Sequence, residues 1–236
     1  MIRAKGQGQG APWASRQALV GYIGHTEPRQ SEAMIPLENL VQVVPSLAGE
    51  ELTRCLEHVQ SLPFAGSSLT SDGGAATTRP QQARTSSSCL LEEAHPVTQL
   101  LHERLNRSVA IYAERLKAQH PAFDGHPLPG AHGVHSWREP LQVLRYHPGE
   151  RYVFHHDCDF DRNREAYHRV LTAILYLNND FEGGETAFSG GRIKPDPGQA
   201  LVFPSNWCFP HAGCRVISGI KYAVVTWYHA LPPQGA

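Results

Sequence analysis

The sequence predicts an α+β fold, mainly β, in which N-terminal helices support a core of many short strands, a barrel or a double-sheet jelly roll. Three observations predict it. From residue 141 on, short apolar runs alternate with turn signals such as PGE, NNDFEGG, SGG and PDPG, the pattern of many short strands. Before residue 120, two segments carry apolar residues at helical spacing. The composition agrees, because 21 Gly and 18 Pro with only 18% charged residues suit a turn-rich chain better than a helical bundle.

Residues 1–33 are rich in Gly, Gln, Pro and Ser and read as a poorly ordered lead-in. The remainder, 34–236, is expected to form a single domain, with helical support over about 46–120 and a jelly-roll core over about 140–230. PLENLVQVVPSL contains a short strand near 40–44. A helix follows in LAGEELTRCLEHVQSL, where Leu52, Cys55, Leu56 and Val59 share one face and Ser46 is the expected N-cap. Residues 65–88 form a long polar stretch of the kind that is functional or disordered. A second helix is expected from about Pro96 to Gln119. Proline suits its first turn, and Val97, Leu101, Leu105, Val109, Tyr112 and Leu116 form its apolar stripe. Residues 120–138 are a Pro/Gly/His-rich loop. Strands are then expected at 141–147, 151–157, 169–179, 185–189, 191–195, 199–204 and 221–230.

The bulk properties exclude some function classes. The formal net charge is -1, with no basic excess to point to nucleic acid or an anionic membrane. Five cysteines, odd in number and without a CxxC pair, fit a reducing compartment better than a disulfide framework. The N-terminus lacks the apolar run of a secretory signal, so a cytoplasmic location is expected. Arg3, Lys5 and Arg16 precede the first acid, Glu27, and keep organelle targeting as the alternative. No stretch approaches the roughly 20 apolar residues of a membrane span.

The chemistry concentrates in YVFHHDCDFD (152–161). Side chains alternate along a strand, so His155 and Asp157 should share a face and His156 should point away. An imidazole and a carboxylate on one face invite a third ligand, and His211 in FPSNWCFPHAGC follows the strand QALVFP. Two His and one carboxylate form the facial triad of non-heme Fe(II) oxygenases. An HxD pair alone reads more readily as a solvated strand end than as a metal site in a chain with 14 histidines. Lys221 opens the apolar strand KYAVVTW. If buried there, it needs an anionic partner; the alternative is that it snorkels out at the strand end.

Residues 141–230 resemble the Fe(II)/2-oxoglutarate-dependent dioxygenases, most closely the prolyl 4-hydroxylase-like branch. LQVLRYHPGERYVFHHD is similar to that branch's strand and PGxxYxxHxD motif, ILYLNNDFEGGETAF to its LYLN…GGET pattern, and HAGCRVISGIKYAVVTW to its HAGxxVxxGxK segment with a later Trp. Arg215 stands where the branch has Pro. The resemblance implies a double-stranded β-helix core with His155, Asp157 and His211 as catalytic Fe(II) ligands. It implies Lys221 as the partner of the distal carboxylate of 2-oxoglutarate. Tyr146 and Thr186 become hydrogen-bond donors to that cosubstrate, and Trp227 lines the pocket. It further implies O2 as co-reactant, ascorbate as an accessory, and the 65–88 stretch near the site mouth as a candidate lid. The reaction so implied is hydroxylation of a C–H bond, of prolyl residues in a peptide or protein, with release of succinate and CO2. The alternatives are the same chemistry on a small molecule or an alkylated nucleic acid, and a jelly-roll metal-binding module without turnover. Partners are then a peptide or protein substrate, with no nucleic acid or membrane.

Overall fold

A computed structural model describes residues 36–64, 84–119, 138–158 and 169–229. The expected lead-in at 1–33, most of the 65–88 stretch, the 120–138 loop except Arg138, and the 158–168 loop beyond Cys158 lie outside the described residues.

A 3-10 turn at Leu37–Leu40 leads into β1 (Gln42–Pro45) and α1 (Gly49–Gln60). Next come β2 (Ser87–Leu90) and the long α2 (Pro96–Gln119). Ten strands follow: β3 (Gln142–Tyr146), β4 (Tyr152–His155), β5 (Arg169–Tyr176), β6 (Phe181–Gly183), β7 (Thr186–Phe188), β8 (Gly191–Ile193), β9 (Gln199–Pro204), β10 (His211–Gly213), β11 (Val216–Gly219) and β12 (Lys221–His229). They build a six-stranded sheet in the order β1-β9-β5-β12-β3-β2, a four-stranded sheet β4-β10-β7-β8, and a pair β11-β6. All the pairings are antiparallel.

The six-stranded sheet is two-faced because its strands alternate. Tyr222, Val224 and Tyr228 of β12, with Leu171, Ala173 and Leu175 of β5, join the core that α1 and α2 cover. The opposite parity, Ala223 and Val225 with Ile174 and Tyr176, joins a second core. The stripe expected on α2 is its buried face, with Leu101 and Leu105 fully enclosed. Tyr112 also donates a hydrogen bond to the Leu40 carbonyl (2.9 Å). The helices thus brace one face of the large sheet, and the other face is left for chemistry.

Local expectations differ from the structure in two places. Ser46 does not cap α1. Its N–H and that of Leu47 both donate to the Gly198 carbonyl, which holds the chain extended past Ser46, so the helix begins at Gly49 with Ala48 in the N-cap position. Four short strands were not anticipated: β2, β6, β10 and β11. β6 lies inside the NNDFEGG stretch read as a turn, and β2 overlaps the end of the polar 65–88 stretch. Among the described residues, no helix is long and apolar enough to cross a membrane.

Candidate metal and cosubstrate site

The His-Asp-His cluster sits where the small sheet meets the large one. His155 ends β4 and His211 begins β10, and the two are paired directly across the strands. Asp157 lies two residues beyond the end of β4. Strand alternation is therefore not what aims it. Two backbone bonds do so instead: the Asp157 and Cys158 N–H groups both donate to the Ser205 carbonyl (3.1 and 3.0 Å) just after β9. His155 Nε2 is 3.4 Å from Asp157 Oδ1 and His211 Nε2 is 3.5 Å from Oδ2.

Alternation also fails inside β4. His211 pairs with His155 and Gly213 with Tyr152, so three residues of β10 span four of β4, the one extra residue of a bulge. The bulge brings Tyr152 onto the same side as His155, and their rings stack with centroids 3.7 Å apart. His156 stands outside the cluster, its Nδ1 buried and without a partner.

The donor set fits a divalent transition metal. The Nδ1 of His155 lies 2.9 Å from the Val153 carbonyl and that of His211 lies 3.2 Å from the Phe209 carbonyl. A carbonyl can only accept, so each Nδ1 carries a proton, and in the neutral ring that a metal requires each Nε2 is the bare atom. Two bare nitrogens and a carboxylate then face one another within 4.8 Å, an all-acceptor contact that a cation relieves. Ligand atoms about 2.1 Å from a common ion sit about 3 Å apart, close to the separations here. Burial opposes ionisation of Asp157, but with no ion bound His211 and His155 in their protonated forms, a hydrogen bond from His155 and the charge of Arg169 prevail and hold its carboxyl well below the ordinary range. His211 is pushed down by burial, against the pull of Asp157. Both shifts favour the ligand forms.

A second polar group occupies the inner face of the large sheet. Lys221 is 4% exposed, so it does not snorkel. Its Nζ donates to the Gly184 carbonyl (2.7 Å) and to the Tyr176 hydroxyl (3.1 Å). Among the described residues no carboxylate lies within ion-pair distance of it. Burial lowers its pKa to about 8, partly countered by Tyr146, Cys214 and Glu185. A buried ammonium with one N–H still to place is a receptor for an anion. Tyr146 pairs with Lys221 across β3 and β12, its ring 5.3 Å from Nζ. Thr186 hydrogen-bonds the Tyr176 hydroxyl (2.7 Å).

Trp227 shares the inner face with Lys221 by strand parity. It is half-buried, its indole N–H is without a partner, and the Arg169 guanidinium lies 3.9 Å above its ring. Arg169 forms a two-point ion pair with Glu139 (2.5 and 2.6 Å) and donates to the Asp157 carbonyl (3.2 Å). His229 joins Glu139 (3.0 Å). A charged network therefore backs the Trp227 side of the cluster.

Sequence reasoning missed Tyr176, Tyr152, Thr172 and Glu139. Tyr176 and Thr172 carried a signal, being polar side chains of one parity in the otherwise apolar run RVLTAILY. Tyr152 stood in the PGxxYxxHxD motif, but the bulge that sets it beside His155 leaves no local period; Glu139 carried no signal, since an ion pair between residues distant in sequence leaves none.

Residues 141–229 match the family model of the 2OG-Fe(II) oxygenase superfamily. A putative prolyl 4-hydroxylase of Acanthamoeba polyphaga mimivirus is 40% identical over 107 residues, covering 38% of this chain and 44% of that protein. Prolyl 4-hydroxylase 1 of Arabidopsis thaliana is 32% identical over 171 residues, covering 61% and 53%. The chain thus spans about half the length of the curated relatives it matches. Among solved structures, the viral collagen prolyl hydroxylase of Paramecium Bursaria Chlorella virus-1 with 2-oxoglutarate superposes with a TM-score of 0.56 at 20% identity, covering 81% of this chain and 97% of that one. A Trichoplax adhaerens prolyl hydroxylase, in complex with a hypoxia inducible factor oxygen degradation domain peptide, gives 0.56 at 20%, covering 81% and 84%. At that identity the superpositions establish the fold.

Proposed function

We propose that this chain, whose residues 141–229 carry the core of a 2OG-Fe(II) oxygenase of the prolyl 4-hydroxylase-like kind, hydroxylates prolyl residues in a peptide or protein. The reaction takes a C–H bond, 2-oxoglutarate and O2 to an alcohol, succinate and CO2. One observation supports it above the others: a His-Asp-His cluster shares an interior with a buried lysine that has no carboxylate partner among the described residues.

His155, Asp157 and His211 would hold Fe(II), which when bound activates O2 for oxidation of both 2-oxoglutarate and the C–H bond. Three protein ligands leave positions open for a chelating cosubstrate and O2. Lys221 receives the distal carboxylate, because its charge is otherwise uncompensated in an apolar enclosure. Tyr176 and Thr186 link that pocket to β5 and β7, and Tyr146 walls it from β3. The floor of Phe203, Ile174 and Val225 excludes water. That raises the worth of each polar contact.

The names of the relatives support peptidyl proline as the substrate, and the half-buried Trp227 ring offers an apolar wall for it. Ascorbate enters as an accessory reductant. Cytoplasmic action is part of the proposal, supported by five free cysteines. The test is anaerobic loading with Fe(II) and 2-oxoglutarate, then O2 and a proline-containing peptide library read by mass spectrometry. Expected are succinate and peptides that gain one oxygen on proline. Coupled turnover with free amino acids or alkylated nucleic acid alone would overturn the peptide reading. Metal binding without 2-oxoglutarate consumption would overturn the enzymatic one.

A further inference from the structure

The Asp157 carboxylate is gripped by a hydroxyl chain that lies outside the expected ligand set. Thr172 of β5 is fully buried and Ser205, just past β9, is 1% exposed. Thr172 Oγ1 lies 2.6 Å from Asp157 Oδ2 and 2.9 Å from Ser205 Oγ. An ionised carboxylate can only accept and a threonine has one O–H, so the proton assignment follows. Thr172 donates to Oδ2, and Ser205 donates to Thr172. A short bond to a charged acceptor in a dry enclosure is a strong one, and the second hydroxyl polarises it further.

The chain has a geometric consequence. Oδ2 is bonded to Thr172 and lies 3.5 Å from His211 Nε2, whereas Oδ1 faces His155 Nε2 at 3.4 Å. Asp157 lies outside any strand, and among the described residues its backbone is held by the Ser205 carbonyl and Arg169. Neither of those controls rotation of the carboxylate about its own bond. Among the described residues, Thr172 is the neutral group that does.

We propose that Thr172, supported by Ser205, is a positioning residue that occupies Oδ2 of Asp157. It thereby commits the carboxylate to single-point binding of the metal through Oδ1. A carboxylate bound through both oxygens would take up one more coordination position, at the expense of cosubstrate or O2. The hydroxyl chain prevents that and ties the metal ligand to the rigid centre of the large sheet. This rests on the metal site proposed above.

The experiment uses the full metal-free chain titrated with Co(II). Its visible absorption reports affinity and coordination, and turnover plays no part in the reading. Partners of metal ligands are typically worth 10–100-fold in metal affinity, so Thr172→Val should bind Co(II) at least about tenfold more weakly, with an altered spectrum. Thr172→Ser keeps the hydroxyl and should restore both. Thr172→Ala serves as the second hydroxyl-free variant if the valine form does not fold, and thermal unfolding of each metal-free form reports packing separately. The inference is overturned if the hydroxyl-free variant binds within about twofold of the parent, a change far below that range. It is equally overturned if Thr172→Ser is as impaired as Thr172→Ala. A parent chain that takes up no Co(II) sinks the metal site itself, a different result from either.

Discussion

Lys221 sets the residue-scale behaviour. Its pKa in the ligand-free protein is lowered to about 8 by burial. The unfolded chain therefore holds a proton that the folded chain lacks between about pH 8 and about 10.5. The sign follows: the buried charge weakens the ligand-free fold below pH 8, and stability rises with pH across that window, by up to about 3 kcal/mol. A dicarboxylate at Lys221 reverses the preference, since it needs the ammonium. Affinity for 2-oxoglutarate should then be flat up to about pH 8 and fall by as much as tenfold per unit above it. Calorimetry of the Zn(II)-loaded protein with 2-oxoglutarate checks this. Lys221→Met should bind weakly at every pH with no inflection, and the idea fails if the inflection survives in that variant.

At the scale of elements, strength of periodicity decided what the sequence disclosed. α2 was legible to its ends because 24 residues give several turns of stripe. β5, β9 and β12 were legible because each is long and apolar. β6 lies inside the turn signal NNDFEGG and β10 is the triplet HAG, so neither shows an apolar run set off by turns, as the equally short β7 and β8 do. The bulge in β4 and the release of Asp157 from that strand are set by partners distant in sequence. That is why the pair His155 and Asp157 could be picked out, while the reason they converge could not. The turn into β7 depends instead on backbone shape. Gly183 has φ +71°, and a Cβ there would come within 2.3 Å of the Arg215 carbonyl, the same oxygen that accepts from Gly184 N–H. Gly184 in turn supplies the carbonyl that holds Lys221. Gly183→Ala should thus cost at least about 1–3 kcal/mol in denaturant unfolding and raise the 2-oxoglutarate requirement. Loss of stability with an unchanged requirement would separate the turn from the pocket.

Over the whole molecule, the cluster is a junction between layers. His155 and His211 belong to the four-stranded sheet. Asp157 is tied through Thr172 and Ser205 to the six-stranded one. Without an ion, the facing acceptors of the cluster repel across that seam. An ion bound to all three joins the sheets and exists only in the folded state, so its binding energy adds to folding. At a hundredfold excess over its dissociation constant, the gain is about 2.7 kcal/mol. In a domain of this size that corresponds to roughly 5–10 °C in midpoint. Thermal unfolding of the full chain with and without excess Mn(II) should show that rise, and chelation should reverse it. Asp157→Ala should melt at one temperature in both conditions, because the seam then lacks the ligand anchored to the large sheet. A parent midpoint that ignores the metal would mean the two sheets are already closed without it, and the triad would have to be read as a cluster shielded by its own protonation.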